Sequence, residues 1–243
     1  MQRFFVFDNK SQVDFMPSDK FSHPLIQYWQ TERFLILLVS LLLMLVLSPF
    51  LQYFRWFEIF RNILRTWIFL AIFNTTTWKN KQLVYSSLLV SFAIAALWAP
   101  TIFGPGINIL AISSALIGIY LLFSIVVLAA FIRGAEHVGR EVIYVSIIIY
   151  LLISIMWAYL YATLEAFVPG SFSMPFDTSQ SDKFFWHMYF SHITITTLGY
   201  GDITPLNAKA AALASTEAII GQIYLVVIVA WLVAMHVSQR SKK

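Results

Sequence analysis

The chain has 243 residues, of which 59% are hydrophobic and 12% charged, with a formal net charge of +4 and no cysteine. A soluble domain carries about twice that share of charge, so the composition excludes a water-soluble fold and makes lipid the solvent. The missing cysteines exclude disulfides, thiolate metal sites and thiol redox control. The lysines and arginines are scattered and fall mostly at the ends of apolar runs, which excludes a nucleic-acid surface.

In chain order, residues 1–32 come first: polar, mixed in charge (Asp8, Lys10, Asp14, Asp19, Lys20) and without the basic start and apolar core of a signal peptide. They are expected to form a short cytoplasmic N-terminal segment. Apolar runs follow at about 34–54, 56–73, 83–99, 107–132, 142–167 and 208–236. At 1.5 Å per helical residue each covers about 26 Å or more, enough to cross a bilayer with some tilt. No Asp, Glu, Lys or Arg occurs from Gln82 to Ile132 or from Val142 to Leu164. Pro49 sits near the end of the first run, and Pro100, Pro105, Pro169, Pro175 and Pro205 are expected in connections.

The run at 56–73 is ambiguous, because Arg55, Glu58, Asn62 and Arg65 form a polar stripe at helical spacing that would also suit a helix lying at the interface. Counting basic residues favours a span. With six spans and a cytoplasmic N-terminus, Arg3, Lys10, Lys20, Arg33, Lys79, Lys81, Arg133, Arg140, Arg240, Lys242 and Lys243 lie inside, against Arg55, Lys183 and Lys209 outside. With five spans the bias weakens. The fold class is therefore an all-α integral membrane protein of about six transmembrane helices. Residues 33–132 form a four-helix region, 133–141 a cytoplasmic linker, and 142–238 a terminal pair of spans with a polar break between them. The run at 107–132 contains no basic residue, so the regularly spaced arginines of a voltage sensor are absent there.

The polar break holds the chemistry. Ser181 or Asp182 is placed to cap a short helix over Lys183 to Thr196. Its length, about 21 Å, is too short to cross, so the chain must descend partway and return. Backbone of that kind survives at membrane depth only where it is buried in protein or lines water. The returning segment is Thr197-Leu198-Gly199-Tyr200-Gly201-Asp202. Gly199 and Gly201 accept positive φ without a Cβ clash, which lets consecutive carbonyls face one side. The carbonyls of Thr197, Leu198, Gly199 and Tyr200, with the Thr197 hydroxyl, can then replace the water around a hard cation.

The segment Thr194-Ile195-Thr196-Thr197-Leu198-Gly199-Tyr200-Gly201-Asp202-Ile203-Thr204-Pro205 resembles the pore signature of tetrameric potassium channels. Tyr144 to Phe172 and Thr194 to Val233 are similar to the two-helix pore module of small bacterial potassium channel family proteins. The resemblance covers about the last 100 residues; the first 130 share only the hydropathy pattern. It implies a re-entrant pore helix, a K+ selectivity filter at Thr197–Gly201, and an outward-facing filter. Thr196, Asp202, Tyr189 and Glu165 are implied filter supports, with Glu165 holding backbone amides of the pore loop. Gly221, twenty residues after Gly201, stands where inner helices of the family bend, although glycine in membrane helices also serves close packing. This chain has Leu198 for the commoner valine, Tyr189-Phe190 where many relatives carry two tryptophans, and Ile193 where some carry a carboxylate. Asp202 thus lacks that partner, and Tyr189 is the candidate substitute.

Gln222, Leu225, Val229 and Val233 share one helical face and are expected to line an inner cavity. Glu217, one turn before Gly221, either joins them to concentrate cations or hydrogen-bonds the pore helix. His187 and His192 are five apart, a spacing that does not suit a metal pair on a helix. Asn9-Lys10-Ser11 and Asn74-Thr75-Thr76 fit the glycosylation pattern but fall on the cytoplasmic side.

The sequence expectation is therefore a passive, potassium-selective channel and not an enzyme, with no cofactor beyond the permeant K+ ions. One pore loop per chain supplies one wall of the filter, so the partners are three further copies in a homotetramer, together with the bilayer. The location is the bacterial inner (plasma) membrane with both termini cytoplasmic and no attached gating domain. A transporter-like uptake subunit and a non-conducting auxiliary subunit are the alternatives.

Overall fold

The computed structural model describes residues 32–51, 57–76, 80–104, 106–135, 137–174 and 180–240. The expected N-terminal segment lies outside them except for Glu32, as does Arg55. Seven α-helices occupy the described residues: α1 (Arg33–Leu51), α2 (Phe57–Thr76), α3 (Asn80–Phe103), α4 (Ile107–Arg133), α5 (Arg140–Phe167), α6 (Gln180–Ile195) and α7 (Ala208–Arg240). Four segments are long and apolar enough to cross a membrane: Tyr85–Phe103, Ile107–Arg133, Arg140–Phe167 and Ala208–Met235. A shorter apolar stretch covers Arg33–Leu47.

α5 is the hub. It packs along α4 and α6 and also touches α1 and α7, while α2 and α3 reach it through α4. The core is a continuous apolar cluster including Leu37, Ile72, Leu121, Leu128, Ile148 and Leu152. Large apolar side chains also cover the outside: Leu42, Leu43, Val46, Phe92, Ile112, Ile119 and Ile147 are all exposed. Water would not tolerate such a surface, whereas hydrocarbon does.

α2 carries this inversion furthest. Its polar residues Asn62 and Arg65 are buried, and Ile59, Phe60, Ile63, Trp67 and Leu70 face outward. Asn62 Nδ2 donates to Thr101 Oγ1 of α3 at 3.0 Å. The Arg65 guanidinium lies 4.5 Å from the centre of the Phe184 ring on α6. An interfacial helix points its polar stripe at water; this one points Asn62 and Arg65 at protein. Tyr120 of α4 donates to the Phe69 carbonyl of α2 at 2.7 Å, a further tie made without water.

Two boundaries differ from the sequence expectation. Pro100 was expected in a connection, but α3 runs through it to Phe103. It falls in the last turn, where one missing N–H affects only a helix end. The short helix α6 begins at Gln180, so Ser181 and Asp182 lie inside its first turn and not at a cap.

Candidate functional site

α6 and the strand after it form the polar break between α5 and α7. At 16 residues, α6 is about 24 Å long. Its last turn hands over to the returning segment through a relay of bonds. Thr196 N–H and Oγ1 both donate to the His192 carbonyl, at 3.2 and 2.6 Å. Thr197 N–H donates to Thr194 O at 3.0 Å and Gly199 N–H to Ile193 O at 3.1 Å.

Beyond that point the backbone alternates in hand. φ is +59° at Thr197, +51° at Gly199 and +80° at Gly201. In a regular strand successive carbonyls face opposite sides; left-handed residues at every second position turn the peptide planes the same way instead. For the two glycines this costs little. Thr197 is β-branched, and the conformation stores about 1–3 kcal/mol that its surroundings must offset. Among the described residues no donor reaches the carbonyls of Thr197, Leu198, Gly199, Tyr200 or Gly201. A Cβ built on Gly199 or Gly201 would meet nothing within 4 Å, and Leu198 and Tyr200 are 55% and 69% exposed. Among the described residues, this row of backbone oxygens is therefore without hydrogen-bond partners, in a segment that is exposed in a single chain.

The far end of this segment is anchored from several directions. Tyr189 of α6 donates its hydroxyl to Asp202 Oδ2 at 2.7 Å, and Asp202 Oδ1 accepts from Ile203 N–H at 3.1 Å. Glu165, in the last turn of α5, accepts from the amides of Gly170 and Ser171 at 2.8 and 2.9 Å. Those residues belong to the loop that straps the returning strand. Ser173 N–H donates to Thr204 O at 2.9 Å, Leu206 N–H donates to Ser171 O at 2.8 Å, and Phe172 bridges Pro205. Asn207 then caps α7, its Oδ1 accepting from Ala210 N–H at 2.9 Å while its Nδ2 reaches Ser171 Oγ.

Behind α6 the polar groups form a connected set. Glu217 of α7 is fully buried and hydrogen-bonded to Tyr161 of α5 and Ser191 of α6. Of the two roles the sequence leaves open for Glu217, the geometry has a bond to the short helix α6, through Ser191. Gly221, one turn on, meets the end of α6 face to face. A Cβ on it would stand 2.5 Å from Ile195 Cγ1 and 2.9 Å from Ile195 O. Close packing accounts for a glycine here without any bend. The same Ile195 carbonyl accepts from Tyr150 of α5 at 3.1 Å.

Residues 142–237 match the family model described as Ion channel. This segment belongs to the ion-channel pore superfamily. The match begins two residues into α5 and ends near the end of α7, so the matched segment contains the polar break and every bond described around it. No curated protein matches the chain.

Within the channel domain, Gln222, Val229 and Val233 are exposed and Leu225 is half-buried, so that face of α7 is left open in one chain. His187 packs edge-on against the Phe172 ring at 5.7 Å, and His192 Nδ1 lies 2.5 Å from its own helix's Met188 carbonyl. The described residues hold no cluster of three metal-ligating side chains. Tyr161, Ser154, Ser191 and Tyr150 carry bonds that the sequence reading did not assign. Their only sequence signal is that Ser154 and Ser191 are polar residues inside helices that otherwise face lipid or core. The positive φ of Thr197 has no residue-type signal at all.

Proposed function

We propose that the chain is a potassium-selective channel that conducts K+ passively through a homotetrameric pore. The observation that carries this is the run Thr197–Gly201, where alternating backbone hand coincides with five consecutive carbonyls that no donor among the described residues satisfies. Four such rows around one axis make stacked oxygen cages from Thr197, Leu198, Gly199 and Tyr200, with the Thr197 hydroxyl at the inner end. Such rings replace the hydration shell of K+ at a spacing set by the protein. The C-terminal end of α6 directs its negative dipole end toward the same axis and favours a cation below the filter. Tyr200, exposed in one chain, then braces against a neighbouring copy. The open face of α7 (Gln222, Leu225, Val229) lines the cavity.

The inverted α2 supports six spans. Its buried polar stripe and outward apolar face fit a helix surrounded by lipid, with the filter facing outward and both termini in the cytoplasm of a bacterial cell. α4 carries its only basic residue, Arg133, at its last position, so conventional voltage sensing is not part of the proposal.

The test is flux through liposomes containing only the purified protein. Potassium-driven flux that is strongly reduced for sodium and abolished by Gly201→Ala is expected. Equal sodium flux, or uphill accumulation, contradicts the proposal. Silent vesicles that regain flux with a co-purifying chain assign the protein to an auxiliary role instead.

A further inference from the structure

Four oxygen–oxygen contacts tie together α5, α6 and α7 at Glu217. Tyr161 Oη meets Glu217 Oε2, and Ser191 Oγ meets Glu217 Oε1. Ser154 Oγ lies 2.9 Å from Ser191 Oγ, and Ser191 Oγ lies 2.7 Å from the Ser154 carbonyl. Each hydrogen bond needs one proton between its oxygens. The three hydroxyls of Tyr161, Ser154 and Ser191 bring three protons to four contacts. With Glu217 ionised, Ser191 must choose between the carboxylate and the Ser154 carbonyl, and one contact is left without a proton. With Glu217 protonated the count closes. Tyr161 donates to Oε2, the acid O–H on Oε1 donates to Ser191 Oγ, Ser191 donates to the Ser154 carbonyl, and Ser154 donates to Ser191 Oγ.

The surroundings agree. Glu217, Ser154 and Ser191 are all essentially inaccessible, and neither residue bonded to the carboxyl is cationic. Among the described residues, the titratable groups set against it are Tyr161 and, farther away, Tyr150, both phenols on α5, and the contact from α6 is the Ser191 hydroxyl. A carboxylate with no positive partner in such a place is neutralised at far lower cost than it is buried.

We infer that Glu217 carries its proton in the folded protein and acts as a neutral clamp, holding the pore helix to the outer and inner helices and so fixing the filter that α6 presents. It is a positioning residue and not a source of negative charge for the cavity. Its effect on conduction rests on the proposed potassium pore; its protonation does not.

Glu217→Gln and Glu217→Ala separate the roles. Glutamine keeps both bonds, because its amide N–H takes the place of the acid O–H toward Ser191 and its oxygen still accepts from Tyr161. Alanine leaves the Tyr161 hydroxyl without its acceptor and cuts the link from α7 to Ser191, which keeps only its bonds to Ser154. The purified full chain is compared by infrared spectroscopy at neutral pH, by thermal survival of the assembly and by potassium flux. The inference predicts a protonated-carboxyl C=O stretch in the wild type that is lost in E217Q. It also predicts wild-type heat survival and selectivity in E217Q, and loss of both in E217A. Absence of the acid stretch from the wild type overturns the protonation. Flux or heat survival reduced as severely in E217Q as in E217A overturns the clamp. A wild type that shows the acid stretch and the stated survival pattern yet carries no potassium leaves the clamp standing and refutes the channel proposal.

Discussion

Replacing Gly221 with alanine distinguishes packing from bending at the middle of α7. The new methyl would stand 2.5 Å from Ile195 Cγ1 and 2.9 Å from Ile195 O. Neither atom yields cheaply. Ile195 is 1% exposed, its carbonyl is held by Tyr150, and the filter strand begins two residues later. Overpacking of this kind costs typically about 1–3 kcal/mol. Exchanging glycine for alanine in a helix interior returns about 1 kcal/mol. The balance is a net loss of roughly 0–2 kcal/mol per chain, and Gly221→Val loses more because it adds volume at the same contact without alanine's helix propensity. Equilibrium unfolding of the purified protein in mixed micelles measures the change, and single-channel recording measures open probability. A Gly221→Ala protein stabilised by about 1 kcal/mol, as at an open helix position, would refute the close approach. Unchanged stability in both variants with an altered open probability would show that the glycine serves motion.

Removing Glu165 leaves the Gly170 and Ser171 amides without their carboxylate; because the site is partly exposed, Glu165→Ala is expected to destabilise by about 1–2 kcal/mol in the same unfolding assay. Tyr189→Phe deletes a side-chain donor to Asp202, and currents that decline faster during sustained opening are expected in bilayer recordings, with unchanged reversal potential. Thr197→Ala keeps the carbonyls but removes the hydroxyl and the β-branch. It is expected to lower potassium conductance while relieving part of the strain at φ +59°, which the unfolding midpoint reports.

The helices were legible because lipid demands long uncharged runs, and the runs at 107–132 and 142–167 agree closely with α4 and α5. The returning segment was legible because Gly199 and Gly201 are the residues that positive φ selects, and both have it. The bond of Glu165 to loop amides is one the family resemblance implies, and Tyr189 is the partner expected for Asp202 where this chain departs from the family. Less could be read where a residue's meaning depends on a distant partner. Glu217 was a carboxylate in a span, and only the fold brings Tyr161, 56 positions earlier, against it. Gly221 was a glycine mid-helix until Ile195 was seen beneath it. The stripe on α2 was visible as a stripe, but periodicity cannot tell whether polar residues face water or protein. Thr197 went unread because its residue type argues against the conformation the bonds to Thr194 and Ile193 impose.

The most direct test of the whole account is a structure of the purified protein determined in potassium. Four copies with Thr197–Gly201 facing a common axis, and ion density between the carbonyls of Thr197, Leu198, Gly199 and Tyr200, are expected. A monomeric particle, or an assembly whose filter strands face away from its axis, contradicts it.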